Sequence, residues 1–136
     1  MLTAQVSPSR RWLAYTSIAN DIPEFAVEAW PPDSRRTRVT VGVAPQFAWD
    51  ARDRLYYQLD GAIVRAGLST TARGIDVGDP ARIMDAAGLA QDAWQTFSPL
   101  PGDGGLRVLM SGATTLGRYF TIVRGWEREL ERALSP

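Results

Sequence analysis

Cysteine, histidine and lysine are all missing from this 136-residue chain. Without cysteine there can be no disulfide, no thiol nucleophile and no Cys/His zinc site. Without histidine the chain lacks the commonest general base, and with it every Ser-His-Asp arrangement. Long apolar runs are also lacking. No stretch approaches the roughly 18 apolar residues of a membrane span, and MLTAQVSPSRRW at the start has no apolar core of signal-peptide length. Neither sign of charge is in excess: 15 basic and 15 acidic residues leave a formal net charge of +0. A nucleic-acid binder normally carries a basic surplus to displace counterions from phosphate, and the same balance argues against attraction to anionic membranes. All the basic residues are arginine, which GC-rich coding explains without a function.

What the chain does contain is a period-two apolar pattern, the mark of half-buried strands. In Arg11 to Ser17, Trp12, Ala14 and Thr16 face one way, and Leu13 and Tyr15 the other. In Glu24 to Trp30, Phe25, Val27 and Ala29 share a face. Arg36 to Val41 is rich in β-branched residues, which suit a pleated surface. Turn signals separate these runs: Asn20, Asp21 and Pro23, then Pro31, Pro32 and Asp33. The first forty residues therefore read as an antiparallel three-strand meander.

The pattern recurs. Phe47 to Tyr57 leads to Ala62 to Leu68 across Asp60-Gly61, a strong hairpin signal. Residues 69–80 read as a loop, Arg82 to Met84 as a short strand, and Ala86 to Trp94 as either a helix or a loop. A third cycle runs through Trp94 to Pro99, a turn at Leu100 to Gly105, Leu106 to Met110 and Arg118 to Arg124. Trp126, Leu130 and Leu134 then fall at i, i+4 and i+8, which predicts a short amphipathic helix from about 126 to 134.

Three segments look alike: VSPSRRWLAY from Val6, FAWDARDRLYY from Phe47 and FSPLPGDGGLRVLM from Phe97. Their intervals, 41 and 50 residues, fit the roughly 40–50 residues of a four-stranded propeller blade. A small meander buries one face only when another sheet packs on it, so such units stack.

VSPSRRWLAYTS resembles the F-S-P-D-G-R-x-L-A-Y repeat of TolB-like, WD-repeat-like bacterial β-propellers. PQFAWDARDRLYY resembles a second copy, and FSPLPGDGGLRVLM a copy with a longer turn. IVRGWERELERAL is similar to the C-terminal tail of propeller regions such as the sensor regions of some bacterial serine/threonine kinases. The departures are Ser9 and Arg10 for the aspartate and glycine of the first turn, Ala51 for the glycine of the second, and Gly125 for an asparagine in the tail. The resemblance implies an all-β fold of antiparallel meanders, two to three blades of a partial propeller over residues 1–136, with a short C-terminal helix. It implies a non-catalytic recognition or sensor module, the C-terminal part of a larger protein, that binds a protein or a small ligand and could self-associate through open edges. It leaves open the cytoplasm for a chain that stands alone and the periplasm for part of a membrane-anchored sensor. Two alternatives remain: the propeller portion of a serine peptidase whose catalytic domain lies elsewhere, and a small self-standing β-barrel that binds a ligand.

No residue is assigned a catalytic, cofactor-binding or metal role, and no cofactor is expected. Asp50 and Asp53 could pair for acid/base work, but turn aspartates usually bond their own backbone. Asp76, Asp79 and Asp85 lack the D-x-[DN]-x-[DN]-G spacing of a calcium loop. Ser111 to Gly117 has neither the P-loop lysine nor a G-x-S-x-G elbow and reads as a turn. Trp12, Trp30, Trp49 and Trp94 read as packing residues, with Trp49 the best candidate for exposure. The resemblance predicts that an immunoblot of the source cells with an antibody to this segment shows a band far above 15.0 kDa. A band near 15.0 kDa would count against membership of a larger protein.

Overall fold

A computed structural model describes residues 3–33, 35–87, 89, 96–101, 105–111 and 119–123. This part is all-β, with antiparallel sheets throughout. The helix expected at 126–134 and the strand residue Trp94 lie outside the described residues.

The first sheet is a four-strand meander, not three: β1 (Thr3–Val6), β2 (Trp12–Ala19), β3 (Ile22–Ala29) and β4 (Arg36–Val41), hydrogen-bonded in that order. The short β1, whose residues are alternately exposed and half-buried, pairs with β2 from Thr3↔Thr16 to Val6↔Leu13. Asn20 and Asp21, at φ 52° and 64°, make the β2–β3 turn. Two successive left-handed residues give the type I′ geometry whose twist matches the strands it joins.

The second sheet contains β5 (Phe47–Trp49), β6 (Leu55–Leu59) and β7 (Ala62–Ala66). Asp60 and Gly61, at φ 49° and 75°, close the β6–β7 hairpin as the Asp-Gly pair predicts. The chain then leaves the sheet. β8 (Leu68–Thr71) and β9 (Gly74–Val77) form a separate hairpin before β10 (Ala81–Asp85) returns to pair with β7. Residues 69–80 are therefore not simply a loop. Their apolar residues, Ile75 and Val77, are few, but they pack on the core beside Leu68. The third sheet comprises β11 (Phe97–Pro99), β12 (Leu106–Ser111) and β13 (Tyr119–Val123), again a meander. Among the described residues no sheet closes on itself, as the small-barrel alternative would require.

Two apolar layers hold the three sheets together. In the first, Trp12, Ala14, Phe25, Val27 and Ala29 of the first sheet meet Phe47, Leu55, Tyr57, Ala62, Val64 and Ala66 of the second. Phe25 is its centre, stacked on Phe47 at 4.9 Å between ring centroids and tilted against Tyr57 at 5.5 Å. In the second layer, Ala48, Tyr56 and Ile63 point the other way, towards Phe97, Leu106 and Val108 of the third sheet. Period two thus sends successive residues of β6 and β7 into different layers. Their continuous apolar runs, LYY and AIV, follow from burial on both faces.

The first strands of the three sheets are linked. The Trp49 indole Nε1 of β5 donates to the Gln5 carbonyl of β1 at 3.1 Å, and β11 lies beside β5. On the opposite flank the β8–β9 hairpin sits against β4, where Thr37 Oγ1 donates to the Ile75 carbonyl at 2.6 Å.

This packing sets an order of sensitivity. Phe25→Ala removes the ring at the centre of the first layer and should cost about 3–5 kcal/mol. Ile63→Ala in the second layer should cost about 2–5 kcal/mol. Val43→Ala, at a residue 59% exposed, should stay within about 0.5 kcal/mol of the parent. Urea unfolding of the three variants checks this, and equal losses for Phe25→Ala and Val43→Ala would contradict it.

Candidate functional site

Antiparallel succession places the β1–β2, β3–β4 and β5–β6 connections at one end of the first two sheets. The chemistry-bearing residues of that end divide into those that build turns and those that face outwards.

Three turns share one hydrogen bond. Ser7 N–H donates to the Trp12 carbonyl (2.8 Å), Asp50 N–H to the Arg54 carbonyl (3.0 Å) and Leu100 N–H to the Gly105 carbonyl (2.9 Å). Ser7, Asp50 and Leu100 therefore hold the same turn position, 43 and 50 residues apart. This corrects the motif alignment. Val6 corresponds to Trp49 and Pro99, so Ser7–Pro8 lies in a turn while Ser98–Pro99 lies within β11, where Pro99 pairs with Leu106. The left-handed residues are Arg10 (φ 60°) in the first turn and Asp53 (φ 57°) in the second, so Asp53, not Ala51, stands where the motif has glycine.

Asp50 and Asp53 do different work. Asp50 is buried, and its Oδ1 accepts from the backbone N–H groups of Arg52 and Arg54, both at 2.9 Å. Its Oδ2 accepts from Arg54 Nε at 2.6 Å. The carboxylate serves its own turn, as the side chain of Ser7 does when its Oγ accepts from Trp12 N–H at 3.2 Å. Asp53 reaches across to the neighbouring turn, where Ser9 donates to it through both its N–H (3.1 Å) and its hydroxyl. The aspartates are thus engaged by different partners rather than converging on a shared space.

The other sequence candidates are dispersed. Asp76 lies on β9 opposite Ser69, and Asp79 follows in the 78–80 segment. Asp85 ends β10, accepts from Ala87 N–H at 3.2 Å and pairs with Arg82 at 3.6 Å. Among the described residues no group of three or more acidic side chains could hold a metal ion. Ser111 ends β12, and the remainder of the Ser111–Gly117 segment lies outside the described residues. Nor is any helix among the described residues long and apolar enough to cross a membrane.

The tryptophans correct another expectation. Trp49 is half-buried and hydrogen-bonded, whereas Trp30 is 39% exposed. Trp30 opens the β3–β4 loop, where its peptide bond to Pro31 is cis. It lines a groove of about 350 Å³ together with Arg11, Pro31, Asp33, Arg35 and Thr70 of β8. The Arg11 guanidinium stands over the buried Trp12 ring, 5.2 Å from its centre. Arg35 donates to Asp33 from its backbone N–H (2.9 Å) and its Nε (2.7 Å), and these bonds hold the exposed Asp33 carboxyl below its usual range. Sequence reading missed this groove because Trp30 and Arg11 belong to otherwise ordinary strand ends; the one available signal was the Trp-Pro-Pro run.

A second cavity, of about 400 Å³, lies towards the opposite end among Gln46, Gln58, Gly61, Asp85 and Leu89. Gln46 is already committed: its Oε1 accepts from Thr96 N–H (2.7 Å) and Thr96 Oγ1 (2.9 Å). On the face of the first sheet turned away from the Phe25 layer, Tyr15, Glu24, Glu28 and Arg36 form a polar network above Leu13 and Ala26. The Tyr15 hydroxyl, and after it Glu24, hold the Arg36 guanidinium above its usual range. Glu24 pairs with the Arg36 guanidinium, and Glu28 accepts from the Tyr15 hydroxyl at 3.5 Å.

Comparison with family models, with curated proteins and with solved structures finds no match to this chain.

The division of labour between the aspartates is measurable. Asp50→Ala strips three donors of their buried acceptor and should cost about 2–4 kcal/mol. Asp53→Asn, at an exposed bridge, should cost less than about 1 kcal/mol. Denaturant midpoints for the two variants decide it; comparable losses would mean that the turn-to-turn bridge matters as much as the buried carboxylate.

Proposed function

We propose that the chain is a non-catalytic recognition module in which the three meanders act as adjacent blades of a β-propeller, and that it presents its turn-bearing end to a ligand or partner. The observation that carries this reading is the way the three sheets meet one another. The first strands are linked, with β11 beside β5 and the Trp49 indole of β5 bonded to the Gln5 carbonyl of β1, while the β8–β9 hairpin packs against β4 at the far edge of the first sheet. Sheets fanned about an axis would meet at their first strands and leave room for such an insert at their outer edges. The common turn hydrogen bond at Ser7, Asp50 and Leu100 supports three copies of one unit.

Recognition fits the side-chain chemistry better than catalysis. The one buried aspartate among the described residues is consumed by its turn, and histidine and cysteine are missing from the chain. Outward-facing tryptophan and arginine are the residue types that dominate binding energy at interfaces. Fold alone does not decide function, so the test addresses binding directly. A fragment and short-peptide library is added to the isotopically labelled chain, and backbone amide and indole NMR signals are followed. Ligands should perturb the β1–β2, β3–β4 and β5–β6 connections saturably and be recovered unchanged by mass spectrometry. Chemical conversion of a ligand, lost on Asp50 or Asp53 substitution, would overturn the non-catalytic reading, and saturable binding confined to the opposite end would overturn the assigned end.

A further inference from the structure

We propose that the groove between the β1–β2 turn, the β3–β4 loop and β8 binds a monocarboxylate carried next to a planar apolar group, with Arg11 meeting the carboxylate and Trp30 the planar group. The proposal deepens the recognition reading and rests on it.

Charge comes first. Three ionised side chains line the groove: Arg11, Arg35 and Asp33. Asp33 is committed to Arg35 by an ion pair and by backbone and side-chain hydrogen bonds. Arg11 has no carboxylate partner among the described residues; its guanidinium stands over the Trp12 ring. A cation held by a π face is oriented without spending its N–H donors, of which a guanidinium has five in a planar fork matched to a carboxylate. One uncommitted positive charge selects a monoanion. A phosphate dianion would call for a second free cation, and Arg35 is not free.

Shape supplies the other half. Trp30 is among the exposed large apolar residues of the chain and stands with Pro31 on the groove wall. Exposing an indole forgoes a large burial energy, and a flat apolar group laid on it would recover part of that energy. The volume of about 350 Å³ is at the small end of ligand sites and is enough for one ring and a carboxylate. The same chemistry comes from two sources: a free aromatic acid, or the C-terminal residue of a peptide that ends in an aromatic side chain.

NMR titration with phenylacetate, phenylacetamide, the peptide Gly-Gly-Phe and its C-terminal amide separates these. We expect a carboxylate to shift the Trp30 indole and Arg11 signals saturably, and its amide counterpart to bind at least about tenfold more weakly, since charge-assisted hydrogen bonds are lost. Arg11→Gln should weaken the acid to the level of the amide, and Trp30→Ala should weaken both; circular dichroism and the untouched Phe25-layer signals verify the fold of each variant. Binding of Gly-Gly-Phe without phenylacetate would assign the site to peptide C-termini, and binding of phenylacetate alone to small acids; either supports the proposal. It is overturned if neither carboxylate gives a saturable shift by about 10 mM, a weak limit on the affinity scale, or if Arg11→Gln or amidation leaves binding unchanged. Library ligands that bind elsewhere on the same end would then leave the recognition reading standing while the groove assignment falls.

Discussion

The second sheet keeps neither face of its central strands for solvent, and most of the architecture follows from that constraint. Leu55, Tyr57, Ala62 and Val64 enter one layer while Tyr56 and Ile63 enter the other. A short meander with two apolar faces is unstable alone, because each face is a continuous strip that water must cover. It needs a sheet on either side. The first sheet supplies Phe25 and Val27, and the third supplies Phe97, Leu106 and Val108. Cooperativity between neighbouring sheets is then unavoidable: losing the partner on one side exposes a layer, not a residue.

The hairpin β8–β9 is a consequence of the same demand. The first and second sheets share the Phe25 layer, and at β1 and β5 Trp49 reaches across to the Gln5 carbonyl. Away from that line Val39, Val77 and Leu68 are only partly buried, and Ile75 closes the gap between them. The Thr37 hydroxyl bonded to the Ile75 carbonyl fixes the insert against β4. Placing a hairpin there also brings Thr70 to the groove beside Trp30, so the insert also helps to shape the candidate site.

Much of the strand pattern was legible because burial on alternate faces writes itself as period two. The facing of Trp12, Ala14 and Thr16 against Leu13 and Tyr15, the Phe25, Val27 and Ala29 face, and the Asp60-Gly61 turn were all readable from residue types. What was not readable has specific physical reasons. Ser69, Thr70, Thr71 and Arg73 are small or polar, so β8–β9 shows little apolar alternation and depends on tertiary contact through Ile75. The turn phase was obscured because Asp53, not glycine, adopts the left-handed conformation. Aspartate tolerates that conformation better than most residues, and Ser9 then bonds its side chain. Trp49 looked more exposed than Trp30 because its hydrogen bond to Gln5 crosses between sheets, 44 residues apart in sequence.

The location of the groove follows from what each connection must do for the fold. The β1–β2 and β5–β6 connections are short, and their polar groups are spent internally: Ser7 and Asp50 hold the backbone, while Ser9 and Asp53 tie one turn to the next. Replacing Ser7, Asp50, Ser9 or Asp53 changes stability before it changes recognition. The β3–β4 connection carries a different load. Ala29 N–H reaches the Arg35 carbonyl and Trp30 N–H the Arg11 carbonyl, so backbone bonds anchor the ends of the loop. Within the loop Asp33 and Arg35 are bonded to each other, which leaves the Trp30 and Pro31 side chains free of structural duty. Trp30 and Pro31 can turn outwards, and Arg11, supported from below by a buried indole, can face them. A rigid frame of backbone bonds with free side chains on it is what a binding surface requires, since little ordering entropy remains to be lost when a ligand arrives.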